Sequence, residues 1–141
     1  MIVDLDCFKP INDTWGPAAG DDALCELADR LRIFSDRCTT VACTGGEEFA
    51  VLITGGPERE SQAALATQIC CLLSRPSTTL PQPVAACVSI GIARAPEDAD
   101  SSDGLLRCAD AAMYHIKARS AARFISITLH TGETLHAREQ L

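Results

Sequence analysis

No stretch of this chain is apolar for long enough to span a bilayer, and no signal-peptide pattern opens it. A soluble, cytoplasmic domain without membrane contact is therefore expected. Clusters of basic residues are missing too: 12 Lys and Arg stand against 19 Asp and Glu, for a formal net charge of −7. Binding a nucleic-acid backbone or an anionic membrane as the main task is not expected of such a chain. The 8 cysteines contain no C-x-x-C pair and no spacing typical of a secreted disulfide framework. They read as free thiols in a reducing compartment, several of them on apolar faces as small hydrophobes. His115, His130 and His136 lack metal-ligand spacing and read as surface or packing residues. Internal repeats and low-complexity segments are absent as well.

What is present is enough for one ordinary domain. The 141 residues are 47% hydrophobic and 22% charged, which suits a single ordered core. Met1 to Asp6 reads as the end of a strand, with Asp4 and Asp6 on one face of the pleat. Cys7 to Gly16 is dense in turn formers and reads as a loop. From Pro17, a first-turn proline, Leu24, Leu27, Ala28, Leu31 and Phe34 recur at helical spacing. Thr39 to Thr44 and Glu48 to Ile53 read as a hairpin, and Glu58 to Ser74 as a second helix with Ala64, Leu65, Ile69, Leu72 and Leu73 inward.

Val84 to Ala95 then reads as a buried strand, with Gly91 at a bulge or a close approach. Gly104 to Arg119 reads as a third helix facing inward through Leu105, Leu106, Ala109, Ala112, Met113 and Ile116. Phe124 to Leu129 is a last strand, and the tail to Leu141 either pairs briefly or hangs loose. The order implies an α+β fold: a mostly antiparallel sheet with helices packed on one face, close to the split βαβ, ferredoxin-like plan.

The chemistry points to the hairpin. Gly45 and Gly46 allow backbone angles closed to other residues and leave room for a ligand. Two carboxylates, Glu47 and Glu48, come next, ahead of an apolar strand that loses free energy if it carries charge inward. In the split βαβ plan the first strand lies beside this hairpin, so Asp4 at a strand end can meet Glu47 at the turn. Two carboxylates and a backbone carbonyl, that of Leu5, suit a hard cation such as magnesium. Read singly, Asp4 also suits a strand-end carboxylate that caps a turn.

Five blocks carry a more specific signal: D-L-D-C-F-K-P-I-N-D-T-W-G from Asp4, G-D-D-A-L from Gly20, G-G-E-E-F from Gly45, V-S-I-G-I-A from Val88 and A-D-A-A-M-Y-H-I-K from Ala109. In order and spacing they closely resemble the GGDEF family of diguanylate cyclases, over nearly the whole chain. The resemblance implies a palm-like, nucleotidyl cyclase fold, and a single domain over 1–141 that lacks its usual first helix and part of its first strand. It implies condensation of two GTP into cyclic di-GMP by a homodimer with Mg2+ or Mn2+.

Residue by residue, the resemblance assigns Asp4, the carbonyl of Leu5 and Glu47 to the metal, and Glu47 and Glu48 to catalysis. Asn12 and Asp21 match the guanine-reading positions. Main-chain N–H groups around Cys7 and Phe8, together with Lys9, Gly45, Gly46 and Lys117, match the phosphate cradle. Plain readings exist beside these: Lys117 complementing a helix dipole, Lys9 a solvated charge, Asp21 a first-turn acid, Asn12 a turn former.

The sequence also departs from the family pattern. Cys43 stands where an arginine usually precedes the glycine pair, and Pro17 where a histidine usually follows Gly16. After Lys117 the usual Gly-Arg-Asn is replaced, with Ala121 at the arginine position and only Arg119 or Arg123 to substitute. The Arg-x-x-Asp feedback motif is absent, since Asp36 and Thr39 occupy its ends, so no feedback inhibition through that site is expected. These departures leave open a catalytically inactive GTP-binding or dimerising regulatory module.

Overall fold

The computed structural model describes residues 1–6, 8–36, 39–55, 59–119, 125–129 and 134–137. The chain runs β1 (Ile2–Leu5), α1 (Phe8–Trp15), α2 (Pro17–Arg32), β2 (Thr39–Gly45), β3 (Glu48–Ile53), α3 (Arg59–Leu73), β4 (Val88–Ile92), α4 (Ser102–Arg119), β5 (Ile125–Leu129) and β6 (Thr134–Ala137). Six strands form one sheet in the order β2-β3-β1-β4-β5-β6. Every pairing is antiparallel except β4 with β5, which α4 connects as a βαβ crossover. The α+β, mostly antiparallel fold expected from the sequence is thus present, and the tail forms β6 against β5.

Helices cover both faces of this sheet, not one. Strand alternation sends Val3, Leu5, Phe49, Val51, Ile90 and Ile92 to one side, where they pack with Leu27 and Leu31 of α2 and Ile69, Cys70 and Leu73 of α3. The same strands send Ile2 and Ala50 to the other side, against Ala109 and Met113 of α4. Gly91 explains how closely α4 comes: a Cβ there would overlap the carbonyl oxygen of Ala109 and sit 2.7 Å from the nitrogen of Met113. The close approach expected at Gly91 is therefore real, and its partner is helix backbone.

Residues 8–15, expected as a loop, form α1. Pro10 is tolerated there because first-turn N–H groups have no helical partner, and Ile11 and Trp15, four residues apart, pack with Ala19, Ala23, Leu80 and Val84. Gly16, at φ 85°, both ends α1 by donating to the Asn12 carbonyl (2.9 Å) and precedes the first residue of α2. Turn formers in this stretch serve helix ends, which is why the local composition misleads.

Three smaller differences concern faces and ends. β4 is shorter than the expected Val84 to Ala95, because Ala85 bridges to Pro76 outside the sheet. In α3, Ala66 and Cys70 are buried while Ala64 is exposed, and in α4 Leu106 is 50% exposed. Of the cysteines expected as small hydrophobes, Cys70 is one, its thiol pushed up to about 12 by burial; Cys25, Cys43 and Cys71 are exposed. Cys7, Cys38, His130, Ala121 and Arg123, and the side chains of Ile116, Arg119 and His136, lie outside the described residues. No helix among the described residues is long and apolar enough to cross a membrane.

Candidate active site

The site begins with a register. β1 pairs with β4 so that Ile2 lies opposite Gly91 and Asp4 opposite Ser89. Over Ile2 and Gly91 sits the Ala109 to Met113 turn of α4. One further helical turn, about 6 Å, spans from Met113 to Lys117. Two strand residues, again about 6 to 7 Å, span from Ile2 to Asp4. The two rulers match, so Lys117 arrives over Asp4.

The contact is direct: Lys117 Nζ lies 2.5 Å from Asp4 Oδ1 and 3.7 Å from Asp6 Oδ1. Asp4 is 3% exposed, and the Lys117 ammonium is the cation set against its buried Oδ1. Burial works against the Lys117 charge, but Asp4 first, then Asp6 and Glu47, raise its pKa above the usual lysine value. Asp6 is also anchored, with Ser89 Oγ donating to its Oδ2 at 2.7 Å. Burial raises the Asp6 pKa, with Asp4 adding to the rise, while Ser89 and Lys117 oppose it.

Glu47 and Glu48 approach from the hairpin. Glu48 opens β3 directly opposite Asp4, and Glu47 stands in the turn behind Gly45 (φ 150°) and Gly46 (φ 54°). Neither glycine has an atom within 4 Å of where a Cβ would stand, so the turn is open above the acids. The structure therefore brings together Asp4, Asp6, Lys117 and the Glu47 charge at one end of β1. Leu5, buried, is the last residue of that strand.

Do these residues fit a divalent cation? Among the described residues no three His, Cys, Asp or Glu side chains already form a metal cage. Yet the buried Asp4 Oδ1 already pairs with a cation, the Lys117 ammonium, and the acids beside it offer hard oxygen donors. The donor set fits magnesium or manganese, with Lys117 as the positive charge that balances it here.

α1 and α2 form the second half of the site. α1 starts at Phe8, so the unpaired N–H groups of its first turn include those of Phe8 and Lys9, an arrangement suited to anions. Phe8 packs against the main core and Lys9 is exposed. Asn12 is held against Gly20 of α2: a Cβ on Gly20 would overlap Asn12 Oδ1. That oxygen is buried without a partner, whereas Asp21, the next residue of α2, is exposed.

Sequence reasoning gave Asp6, Ser89 and Gly20 no role. The signal for the first two was legible in the period of two, which puts Asp4 and Asp6 on one pleat face and Ser89 beside them. Gly20 stood within a quoted block, but its steric reason needs α1 to be a helix.

The chain matches the family described as "Diguanylate cyclase, GGDEF domain" over residues 1–123. It is 39% identical over 117 residues to the bifunctional diguanylate cyclase/cyclic di-GMP phosphodiesterase MucR of Pseudomonas aeruginosa, covering 83% of this chain and 17% of that protein. The solved GGDEF domain of TpbB from Pseudomonas aeruginosa superposes with a TM-score of 0.80 at 38% identity, covering 94% of this chain and 80% of that one. An active GGEEF domain of a diguanylate cyclase from Vibrio cholerae superposes at 0.70 with 27% identity, covering 92% and 80%. The chain spans less than a third of the curated relatives it matches, at 17%, 18% and 30% of their lengths. With the acidic hairpin, the Asp4 strand and the α1–α2 wedge arranged on one domain, the chain belongs to the GGDEF-domain family of diguanylate cyclases.

Proposed function

We propose that this domain condenses two GTP into cyclic di-GMP and pyrophosphate, working as a homodimer in which each copy holds one nucleotide. The observation that carries the reading is the convergence of a buried carboxylate (Asp4), a lysine and the hairpin acids. In each half-reaction a ribose 3′-oxygen bonds to the α-phosphorus of the opposing GTP. The bond to pyrophosphate breaks, and the hydroxyl proton passes to Glu48, which stands opposite Asp4.

Asp4, the Leu5 carbonyl and Glu47 would hold Mg2+ or Mn2+, which when bound supplies positive charge to the triphosphate. Gly45 and Gly46 give the phosphates close access to backbone, and the first turn of α1, at Phe8 and Lys9, cradles them. Lys117 exchanges its carboxylate partner for phosphate oxygen. Asn12 and Asp21 read guanine, whose edge meets an amide and a carboxylate in a way that adenine cannot. Positioning supplies most of the catalysis, since phosphoryl transfer asks little covalent chemistry of the protein.

Feedback control through the usual upstream motif is not part of the proposal. Asp36 and Thr39 close on each other, Thr39 N donating to Asp36 Oδ1 at 2.7 Å and Asp36 N to Thr39 O at 3.1 Å. No arginine stands at the first of these positions to grip a product phosphate.

The test is incubation with GTP and Mg2+ or Mn2+ at high protein concentration, followed by chromatography for cyclic di-GMP, with Glu47→Ala as control. Product that vanishes in the control upholds the reading. Bound GTP without product overturns it in favour of a GTP-binding regulatory module.

A further inference from the structure

One polar cluster lies apart from the carboxylates, between α2 and the turn that follows α3. Glu26, whose side chain is 12% exposed, takes six donor groups. Arg30 Nη2 reaches its Oε1 at 2.6 Å, Ser77 Oγ its Oε2 at 2.6 Å, and the Thr78 amide both oxygens at 3.0 and 3.1 Å. The hydroxyls of Thr78 and Thr79 donate at 2.9 Å each, and the Thr79 amide at 3.3 Å. These bonds outweigh burial and hold the Glu26 carboxyl well below the usual carboxylate range.

Arg30 extends the cluster by donating to the carbonyls of Leu72, Leu73, Arg75 and Pro76, at 3.4, 3.4, 2.7 and 2.8 Å. One ion pair on α2 therefore grips the end of α3 and the following turn, about 50 residues away in sequence.

A connection that merely needed to turn would not require so many charge-assisted bonds. What the grip delivers is Leu80. Its amide donates to Ser77 Oγ at 3.4 Å, and its side chain, 8% exposed, packs with Ile11 of α1 and Ala23 of α2. Ile11 directly precedes Asn12, and Ala19 and Ala23 bracket Gly20 and Asp21. Leu80 thus packs with residues that flank Asn12, Gly20 and Asp21 along the two helices.

We infer that Glu26, with Arg30, is a positioning pair for base recognition: through the 77–80 turn and Leu80 it seats α1, and so Asn12, against Gly20. This rests on the guanine-binding role proposed above. The pair lies outside the residues assigned to nucleotide and metal, and Ile11 and Trp15, which pack with Leu80, lie beyond the phosphate-facing Phe8 and Lys9, so its loss falls mainly on base selection.

Glu26→Gln tests this. A glutamine keeps the shape but points an NH2 group at amide donors that cannot turn around. The KM for GTP is expected to rise about tenfold with kcat held within about twofold. The preference for GTP over ITP, which lacks the 2-amino group, falls with it. Leu80→Ala, which leaves every Glu26 bond in place, is expected to do the same and decides the matter if Glu26→Gln does not fold.

Folded variants with unchanged KM and GTP/ITP preference overturn the inference. Amide hydrogen exchange separates this from the functional reading. If the wild-type chain takes no GTP, the cyclase proposal fails, and the positioning is judged on α1 alone. Faster exchange over Ile11 to Gly16 in Glu26→Gln, with α4 unchanged, upholds the seating of α1; unchanged exchange there overturns it.

Discussion

On the side of the sheet that meets α2 and α3, β1 contributes Val3 and Leu5, and the partners are Leu31, Ile69 and Leu73, none more than 3% exposed. On the side that meets α4, the same strand contributes Ile2 and Asp4, and the partners are Ala109, Met113, a glycine and a lysine. The first side is large aliphatics filling a dry core, each worth about 1.5–3 kcal/mol on burial. The second is small residues, which let helix backbone approach the sheet closely enough to deliver a charge. Residues one apart in sequence, Val3 and Asp4, are nearly equally buried and serve opposite ends. The comparison teaches that a strand's alternation can separate the work of folding from the work of binding.

If that division holds, substitutions on the two faces have different signatures. Ile69→Ala removes a fully buried side chain from the dry face and is expected to cost about 3–4 kcal/mol in urea unfolding, the largest effect here. GTP affinity of the protein that remains folded should be unchanged.

Gly91→Ala acts on the other face, where the added methyl must displace α4 backbone. Overpacking of about 2–3 kcal/mol is expected. Here the loss of stability comes with weaker GTP binding, because Lys117 moves with α4. Titrating nucleotide into both variants checks the contrast; equal binding losses would break it.

Lys117→Met strands the buried Asp4 charge. With Lys117 about a third exposed, solvent screens the pair, and the loss is expected near 2 kcal/mol, below the full cost of breaking a buried pair. Asp4→Asn in the same background should restore part of it, as a double-mutant cycle in urea will show.

The smallest effect belongs to Glu26 and is one of pH. Its folded pKa is depressed below the ordinary 4.5, so its stabilisation is present above that value and is lost as pH falls towards the folded pKa. Between pH 5 and pH 3 the wild type should lose about 1–2 kcal/mol more than Glu26→Gln. Parallel urea titrations at the two pH values measure the difference.

Much of this was legible in the sequence. The apolar stripe Leu24, Leu27, Ala28, Leu31 and Phe34 gave α2 and its inward face, and the run Glu48 to Ile53 gave β3 to the residue. α1 was hidden because Pro10, Asn12 and Gly16 each favour turns locally, and only the packing of Ile11 and Trp15 on Leu80 shows why the helix wins. The second covered face was hidden because Ile2, Ala50 and Gly91 are too few and too small to announce a helix partner. For the site, the acids at Asp4, Glu47 and Glu48 stood out by type. The pairing of Lys117 with Asp4 did not, since it depends on a helix and a strand advancing by matched steps. Glu26 stayed silent for the same reason, its partners lying about 50 residues away.

Gly91 has a consequence for how this gene can change. Every single-nucleotide missense change in a glycine codon adds a Cβ, so no conservative step leads away from this position. A saturation library would score codon 91 as intolerant as a ligand position, although its immediate neighbours are the backbone of Ala109 and Met113. Intolerance there would record the distance between a helix and a sheet, and a reader of such a map who took it for chemistry would look for a ligand in the wrong place.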